Sequence, residues 1–558
     1  MLDGRQYPAG RNGEPRRDPA RSEALDMHGI SIYGNWEIPR PSSADGTLER
    51  VGKTGGRKPM MDGRGKSDRP VVPKKQPNKG RRGPPAEAVE GRGLTKGNSG
   101  QQNTPRTQRR TRGVPSALER VRQAAIRDRG ARFTALMHHI TTARLREAYK
   151  RLNPKAATGV DGVTWEQYGQ NLEENLEDLH GRLQAGRYRA KPSRRAYIPK
   201  ADGRQRPLGI ASLEDKIAQG AVVEVLNAIY EVDFLGFSYG FRPGRSQHQA
   251  LDALAVGLVR KKVNWVLDAD IRGYFDAIDH EWLGKFLEHR IADRRILRLI
   301  RKWLAAGVLE DGKKTETEVG SPQGATVSPL LANIYLHYAF DLWAHDWRKR
   351  HARGDVIVVR YADDFLVGFQ HRPEAEQFLA ELRERLRKFA LELHPKKTRL
   401  IEFGRFAADR RKRRGLGKPE TFTFLGFTHI CGKTKRDSFL VLRHTIAKRL
   451  RAKLQEVKTE LGRRKHSAIP EQGAWLRSVV RGYFVYHAVP TNVRALGAFR
   501  TQVTRHWRHA LNRRSQKGTV NWERMDRLAD RWLPKARILH PWPEQRFDAR
   551  TQGRSRVR

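Results

Sequence analysis

The sequence predicts an α+β fold, and three features of its 558 residues support this prediction. Short runs rich in β-branched and aromatic residues alternate with longer amphipathic segments, which is the pattern of strands between helices. Hydrophobic residues make up 38% of the chain, which is enough for a large core and argues against a wholly disordered protein. The composition changes near residue 115, so we expect the folded part to begin there.

Residues 1–115 are predicted to form a basic, mostly disordered leader. They contain 18 glycines and 13 prolines but only three aromatic residues. Such a composition buries too little apolar surface to offset the entropy lost on folding. Beyond the leader, Ser116 and Glu119 fit a capping box, and a helical pattern continues over residues 117–140.

Further along the chain, four runs rich in Val, Ile, Phe and Trp are strand candidates. They are residues 263–270, 355–361, 365–369 and 421–427. A helical pattern over residues 280–307 separates the first two.

The last section is predicted to form packed helices with a cationic outer surface. Apolar residues recur at helical spacing from Ile446 to Leu461, while lysines and arginines occupy the other faces. A merely solvated surface would show the same pattern. Its recurrence over residues 499–517, with Trp507 and His509 among the charges, favours a contact with nucleic acid.

The net charge of +49 makes nucleic acid the first partner to consider, because such an excess repels itself unless a polyanion balances it. The single cysteine, Cys431, excludes an intramolecular disulfide framework and any zinc site built on several thiolates. No stretch approaches the roughly 18 consecutive apolar residues of a membrane span, and the N-terminus lacks the apolar centre of a secretory signal. We therefore expect a soluble, intracellular protein.

The sharpest local signal is the segment RYADDF at residues 360–365. Strand candidates flank it on both sides, so it is predicted to be a β-hairpin with Asp363 and Asp364 at its tip. A solvated turn is the simplest alternative, since Asp is common in turns. Adjacent carboxylates between two hydrophobic strands repel each other, however, and would be costly without a cation to neutralise them.

A second acidic strand end lies in the segment WVLDADIRGYFDAIDH, where Asp268 and Asp270 follow an apolar run. Three carboxylates from two strands can hold a pair of Mg²⁺ ions about 3.5–4 Å apart. Oxygen ligands select Mg²⁺, or Mn²⁺ as a substitute, over zinc. One ion would activate a primer 3′-hydroxyl and the other would neutralise a triphosphate, so the pattern indicates nucleotidyl transfer.

The chain resembles the reverse transcriptase–maturases encoded within bacterial group II introns, because seven motifs occur along it in the order found in that family. They are YIPKADGRQRPLGI (197–210), FSYGFRPGRS (237–246), LDADIRGYFDAIDH (267–280), GSPQGATVSPLLANIYLH (320–337), RYADDF (360–365), LELHPKKTRLIEFG (391–404) and TFLGF (423–427). The resemblance runs from about residue 116 to the C-terminus. It implies a right-hand polymerase fold, with fingers and a palm built on an antiparallel sheet over residues 116–430. An α-helical thumb and maturase region, called domain X, would follow over residues 431–558.

The resemblance also implies roles for individual residues. Asp270, Asp363 and Asp364 match the catalytic, metal-binding carboxylates, with the backbone carbonyl of Ile271 as a further metal ligand. Asp268 is a neighbour that is not expected to bind metal. The nucleotide-binding set is matched by Lys200, Arg206, Phe275, Gln323 and Lys397.

In that set, Lys200 and Arg206 would grip the triphosphate, while the ring of Phe275 would lie where a ribonucleotide has its 2′-hydroxyl. Each also has a simpler interpretation: a solvated surface for the two cations, the core for Phe275 and a plain turn for Gln323. The adjacent Lys396 leaves the register of Lys397 open.

A further group is predicted to contact RNA, because arginine and lysine bind phosphates and tyrosine rings stack on bases. Its members are Arg242, Arg245, Arg449, Lys453, Arg481, Tyr483 and Tyr486. Arg242 and Arg245 would equally brace the fingers, and the two tyrosines would equally pack the thumb.

The function that the resemblance implies is an RNA-directed DNA polymerase that binds its group II intron RNA to promote splicing. If the intron is mobile, target-primed cDNA synthesis would insert it. The partners would be intron RNA, an RNA template with a DNA primer, target DNA and deoxynucleoside triphosphates, in the bacterial cytoplasm. The family's frequent C-terminal nuclease domain has paired cysteines that are lacking here, so cleavage of the second DNA strand is not predicted. Two alternatives from other classes stay open: a maturase that only binds RNA, and a reverse transcriptase that serves host defence or another task unrelated to an intron. A related polymerase that copies RNA into RNA is disfavoured, since Phe275 should exclude ribonucleotides.

Overall fold

The computed structural model describes residues 116–199, 205–310, 313–315, 320, 324–514 and 518–551, and the predicted leader lies outside them. The helices are α1 (Ala117–Arg127), α2 (Thr142–Arg151), α3 (Trp165–Gln170), α4 (Leu172–Gln184), α5 (Leu213–Asp233), α6 (Gln247–Arg260), α7 (His280–Glu288), α8 (Arg294–Ala305), α9 (Ser328–Leu336), α10 (Leu342–Arg350), α11 (Arg372–Arg387), α12 (Ala407–Arg413), α13 (Ala447–Arg463), α14 (Ile469–His487), α15 (Val493–Asn512), α16 (Trp522–Trp532) and α17 (Pro543–Thr551). The strands are β1 (Ser193–Pro199), β2 (Gln205–Ile210), β3 (Trp265–Ala269), β4 (Val308–Glu310), β5 (Lys313–Thr315), β6 (Val356–Tyr361), β7 (Asp364–Phe369), β8 (Arg399–Glu402), β9 (Phe422–Phe424), β10 (Phe427–Lys433) and β11 (Phe439–Thr445). This mixture confirms the predicted α+β class.

The central sheet has the strand order β6-β7-β3-β8, and all of its neighbouring strands are antiparallel. β6 and β7 form the predicted hairpin, in which Tyr361 pairs with Asp364 across a two-residue turn. Every residue of β6 is buried, and the rings of Trp347 and Phe378 pack against Phe369 of β7. Because a slip by one residue would turn each side chain to the opposite face, this packing fixes the register of the acidic strand ends.

A second sheet has the order β2-β1-β4-β5, and β3 of the central sheet lies between β2 and β4 in the chain. β1 and β2 form an antiparallel hairpin, whereas β1 and β4 are parallel. The largest core cluster includes the buried residues Ile217, Leu226 and Tyr230 of α5, together with residues of α8 and α9. Of the two residues predicted to bind the triphosphate, Lys200 directly follows β1 in the sequence and Arg206 belongs to β2.

The third sheet has the order β11-β10-β9 and is followed by the helices α13 to α16. The expected domain boundary between residues 430 and 431 falls inside β10, which continues to Lys433 and pairs with β11. The helices of this region begin only at Ala447, after the third sheet. The predicted apolar face of α13 is correct, since Val457 and Leu461 are buried in the helical core.

Trp507 belongs to this helical core and not to a surface for nucleic acid. It is fully buried, and its indole nitrogen donates to the side-chain oxygen of Gln472 at 2.9 Å. The prediction that Trp507 helps to contact nucleic acid is therefore wrong. His509, two residues further on, is exposed.

Two predicted helices are shorter than their sequence patterns. α1 is capped by Ser116 as predicted but ends at Arg127, because Asp128 is extended and its carboxylate accepts from the Gly130 nitrogen at 2.7 Å. The pattern over 280–307 is divided between α7 and α8, where Asp293 caps α8 by accepting from the Arg295 nitrogen at 2.9 Å. No helix in the described part of the chain is long and apolar enough to cross a membrane.

Candidate functional site

The two acidic strand ends lie side by side in the central sheet. β3 and β7 are antiparallel neighbours in which Asp268 pairs with Leu366 and Ala269 with Phe365. Continuing this register by one residue places Asp270 beside Asp364, at the roughly 5 Å separation of adjacent strands. Residues that are about 90 positions apart in sequence are thus brought to one edge of the sheet.

The carboxylates at this edge affect one another electrostatically. The pKa of Asp364 is raised to about 7, first by burial and then by the negative charges of Asp363, Asp270 and Asp268. The pKa of Asp268 is raised to about 6, again mainly by burial, although the cation of Arg399 opposes the shift. Burial and mutual repulsion therefore both disfavour full ionisation of the cluster.

Lys397 lies directly at the site. Its ammonium group donates to the Asp270 carboxylate at 2.5 Å, and the side chain is about half exposed. The structure thereby places Lys397, and not Lys396, against Asp270. The segment around it is fixed because the His394 nitrogen donates to the Asp270 carbonyl at 2.7 Å.

Ile271 continues the extended chain beyond β3. It forms an isolated antiparallel bridge with Leu393, and the Arg272 nitrogen donates to the Glu392 carbonyl at 2.8 Å. The carbonyl of Asp270 and the nitrogen of Arg272 thus point to that neighbour. Since successive carbonyls of an extended chain alternate in direction, the Ile271 carbonyl points to the opposite side, where the acidic hairpin lies.

The turn that carries Asp363 and Asp364 is held by a buried network that sequence reasoning missed. Arg360 and Asp341 are both fully buried, and the guanidinium donates to both carboxylate oxygens, at 2.7 and 2.5 Å. Its Nη1 atom donates to the Asn333 side-chain oxygen at 3.0 Å and to the Ala362 carbonyl at 2.9 Å. Ala362 has a φ of 57°, a left-handed conformation that costs a non-glycine residue about 1–2 kcal/mol. The guanidinium therefore stabilises a strained residue immediately before the acidic pair.

The backbone at Gly240 packs against the same turn. A Cβ atom added there would lie 2.2 Å from the Ala362 nitrogen, so only glycine fits. The Asn333 amide donates to the Gly240 carbonyl at 2.6 Å, and the Arg360 nitrogen donates to the Phe237 carbonyl at 2.9 Å. The FSYGF motif thus supports the acidic turn, a role that its sequence alone did not indicate.

The donor set at this edge fits a hard divalent cation in its chemistry. Carboxylate and carbonyl oxygens are the ligands that such ions prefer. Burial and the neighbouring carboxylates raise the pKa of Asp364, and a bound cation would oppose this shift. As the side chains stand, however, no three His, Cys, Asp or Glu residues among those described are arranged to hold a metal ion. Asp270 is turned to Lys397 instead.

The predicted nucleotide-binding residues are only partly described. Phe275 is half-buried, and its ring meets that of Phe241 edge-on at a centroid distance of 6.3 Å. Lys200 and Gln323 lie outside the described residues, and Arg206 is described only by its backbone in β2.

Gly324 lies close to the hairpin formed by β1 and β2. It has a φ of +114°, and a Cβ there would lie 2.7 Å from the Gly209 carbonyl oxygen. This close approach joins the glycine that follows the predicted nucleotide-binding glutamine to β2.

Two of the residues predicted to contact RNA, Arg242 and Tyr483, instead support the fold. The Arg242 guanidinium is 3% exposed, binds the Glu231 carboxylate and donates to the Leu235 and Ser238 carbonyls at 2.8 Å. Tyr483 is buried and stacks on Phe499 at a centroid distance of 3.8 Å. These positions correct the expectation of a direct RNA contact, because the groups that would bind RNA are already engaged inside the protein.

Tyr486 is also engaged, since its hydroxyl donates to the Leu425 carbonyl at 2.8 Å. Lys453 is half-buried and pairs with Glu456 at 2.7 Å, whereas Arg449 and Arg481 are exposed on α13 and α14. Arg245 is half-buried with its guanidinium over the ring of Tyr239.

Comparison with known proteins finds a family model that matches this part of the chain. Residues 198–429 match the model of the family described as reverse transcriptase (RNA-dependent DNA polymerase). The matched range includes both acidic strand ends, Lys397 and the network around Arg360.

Three relatives show how far the similarity extends. Protein YkfC of Escherichia coli (strain K12) is 36% identical over 238 residues, which cover 38% of this chain and 62% of YkfC. Group II intron-encoded protein LtrA of Lactococcus lactis subsp. cremoris is 39% identical over 191 residues, covering 34% of this chain and 32% of LtrA. An uncharacterized 91 kDa protein in the cob intron of Schizosaccharomyces pombe is 39% identical over 190 residues, covering 34% and 23%. The chain thus spans less than two thirds of the length of each relative.

Proposed function

We propose that this chain, which carries a reverse transcriptase domain over residues 198–429 and is related to group II intron-encoded proteins, is an RNA-directed DNA polymerase that also binds its intron RNA. The observation that carries the proposal is the convergence of Asp270 with Asp363 and Asp364 at one edge of an antiparallel sheet. Transfer of a nucleotide from its triphosphate to a primer 3′-hydroxyl, with pyrophosphate as the leaving group, needs such a carboxylate cluster open to solvent at one end. The partly exposed side chain of Asp270 meets this need.

The fold can be divided on this basis. The central sheet with its helices would be the palm, and the hairpin β1–β2 with the helices before β3 would be the fingers. The helices α13 to α16 would form the thumb and maturase region, beginning at Ala447. In this assignment the third sheet joins palm and thumb.

The residues of the site have separate tasks in the proposed reaction. A pair of divalent ions, Mg²⁺ or Mn²⁺, would activate the primer 3′-hydroxyl and neutralise the triphosphate. Asp270, Asp363 and Asp364 would hold these ions, together with the Ile271 carbonyl. Lys397 keeps a positive charge beside Asp270, where the negative charge of the incoming nucleotide arrives.

Selection of the nucleotide would depend on residues around the site. The half-buried ring of Phe275 would exclude a 2′-hydroxyl and so favour deoxynucleotides. Lys200 would bind the triphosphate through its ammonium charge, and Arg206 would bind it because a planar guanidinium can donate to two phosphate oxygens at once. Gln323 would line the nucleotide pocket.

Binding of intron RNA, and with it promotion of splicing, is the second part of the proposal. The name of LtrA identifies it as encoded by a group II intron, and the cob relative lies in an intron. The charge of +49 supports a nucleic-acid partner. The exposed arginines Arg449 and Arg481 on the helical region are the remaining candidates for contacts there.

Primer extension on an RNA template tests the polymerase. We expect Asp363→Ala and Asp364→Ala to abolish extension, because a lost ligand leaves a metal ion misplaced. The matched control is Glu392→Ala, which removes an acid from an exposed ion pair with Arg272 in the same region and should extend normally. Near-normal extension by either aspartate variant would show that the site is assigned wrongly.

Splicing of the intron by the same variants separates the polymerase from a protein that only binds RNA. Splicing should survive the loss of Asp363 or Asp364, while cDNA synthesis should not. A wild-type chain that promotes splicing but extends no primer would leave the RNA-binding alternative.

A further inference from the structure

A basic surface lies at the end of the central sheet opposite the acidic edge. β8 pairs with β3 so that Arg399 lies beside Asp268, whereas Glu402 lies beside Trp265 at the other end. At about 3.3 Å per residue, Glu402 is about 10 Å from the register of Asp268. The helix α12 begins five residues after Glu402, so this surface is separate from the proposed catalytic site.

The helix α12 is anchored by charge. The carboxylate of Glu402 is almost fully buried and binds the guanidinium groups of Arg410 at 3.4 Å, Arg411 at 4.0 Å and Arg414. The Leu416 nitrogen donates to the Arg411 carbonyl at 2.8 Å, which folds the chain back over the helix end. Arg411 also pairs with Glu420 at 3.3 Å, and Asp409 lies on the helix itself. These three carboxylates balance only part of the charge of the six arginines and lysines over residues 405–414, so a fixed element with excess positive charge results.

Most of the remaining side chains of this segment face solvent, although Ala407 is buried. Arg405, Lys412 and Arg413 are exposed, and so is the aromatic side chain of Phe406, of which 48% is accessible. A large apolar side chain that stays exposed among cations has no role in the core.

The hairpin β10–β11 adds two more cations beside α12. The pKa of Lys433 on this hairpin is raised, mainly by Asp437 and also by Asp409 of α12, so the two elements are neighbours. The Cys431 sulfur, which donates to the Gly404 carbonyl at 3.7 Å, joins β10 to the start of the α12 segment. Lys435 and Arg436 are exposed at the hairpin tip. We name the whole surface the edge patch; it consists of Arg405, Phe406, Lys412, Arg413, Lys435 and Arg436.

We propose that the edge patch is a docking site for single-stranded or looped RNA, in addition to the catalytic site. Cations on a fixed element bind phosphates, and an exposed aromatic ring stacks on an unpaired base. A duplex offers only its phosphates to such a surface, so Phe406 favours an unpaired strand. This inference rests on the proposed function for the identity of the RNA, but binding of RNA at the edge patch can be measured without it.

The experiment uses the full chain and a labelled, mixed-sequence RNA of 20 nucleotides, with binding measured over a series of salt concentrations. Lys412→Ala/Arg413→Ala removes two phosphate contacts, so the slope of log affinity against log salt should become shallower by about 1.4. If the variant and the wild type bind equally at 1 M salt, the affinity of the variant at 0.1 M salt should be about 25-fold weaker, because a slope change of about 1.4 acts over one decade of salt concentration. The control, Arg294→Ala/Arg298→Ala, removes the same charge from exposed positions on α8 and should leave the slope unchanged.

Phe406→Ala tests the stacking contact separately. Affinity for the single strand should fall at least about fivefold with no change in slope, because stacking releases no counterions. Affinity for a duplex of the same sequence should not change. All of these variants should extend a primer on a short hybrid at the wild-type rate.

The outcomes distinguish this inference from the proposed function. A wild-type chain that extends no primer would refute the polymerase, while the edge patch would still stand on its RNA affinity. Equal slopes for the edge-patch pair and the α8 pair would overturn the inference. It would also be overturned if the edge-patch variants lost binding to anionic phospholipid vesicles but kept it for RNA.

Discussion

Replacing Arg360 tests whether the buried network beneath the acidic turn serves catalysis or only stability. Arg360→Met removes the guanidinium and leaves the fully buried Asp341 carboxylate without its partner. Breaking a buried ion pair in this way costs about 3–5 kcal/mol. We therefore expect the free energy of unfolding, measured by urea denaturation, to fall by that amount. The control Arg387→Met breaks an exposed pair with Glu384 and should cost less than about 1 kcal/mol.

The double variant Arg360→Met/Asp341→Leu separates stability from positioning. Replacing both members of a buried pair by apolar side chains is often neutral or stabilising, so its stability should return to nearly that of the wild type. The Ala362 carbonyl nevertheless loses the hydrogen bond that held the turn at 2.9 Å. A hydrogen bond to a charged group contributes about 1.5–3 kcal/mol, so primer extension should remain about 10- to 100-fold slower.

Single-turnover extension at saturating nucleotide, run as a Mg²⁺ titration, measures this second effect. A displaced acidic turn should lower the maximal rate and raise the Mg²⁺ concentration needed for half of it. A double variant that is as stable and as fast as the wild type would refute the positioning role. A single variant with unchanged stability would refute the reasoning about the buried pair.

Two further predictions concern the same turn. Gly240→Ala should slow extension at least as much as the double variant, because its Cβ would lie 2.2 Å from the backbone nitrogen of Ala362. The control Gly236→Ala, whose Cβ would have no atom within 4 Å, should extend normally. Equal extension rates for the two variants would contradict the close approach at Gly240. The pKa of Asp364 is raised to about 7 by burial and by the negative charges of Asp363 and Asp270. Between about pH 4 and pH 7 the folded protein therefore keeps a proton that the unfolded chain has released. Because the folded state binds more protons there, the free energy of unfolding should fall as the pH rises from about 4 to 7. In the presence of EDTA, Asp364→Asn should therefore raise the melting temperature more at pH 8 than at pH 5, and an equal change at both would contradict the shift.

The strands that carry the acidic residues could be predicted because each is a short apolar run interrupted by charge. Residues 355–361 and 365–369 differ from β6 and β7 by one residue at one end, and 263–270 contains β3. The convergence of the acids could also be predicted, because isolated carboxylates beside buried strands need a shared cation. The pairing of β3 with β7 then satisfies both requirements.

The fate of single polar and aromatic side chains could not be predicted, because it depends on partners that are remote in sequence. Trp507 lies among charged residues in a segment predicted to contact nucleic acid, yet its indole nitrogen donates to Gln472, 35 positions away. Tyr483 packs on Phe499 of another helix. Helical periodicity shows which face is buried but does not show which polar atoms find partners there.

The roles of Asn333 and Asp341 were hidden for a further geometric reason. Both contact Arg360, yet eight residues of a regular α-helix turn through about 800°, which would leave the two side chains about 80° apart. Between them, residues His337–Asp341 form a π-helical turn that joins α9 to α10. A π-turn uses one extra residue, so the eight residues rotate about as far as seven would, and about 700° is within about 20° of two full turns. The irregular turn thus brings the amide and the carboxylate to one helix face beneath the acidic hairpin, and a sequence read at regular helical spacing assigns them to different faces.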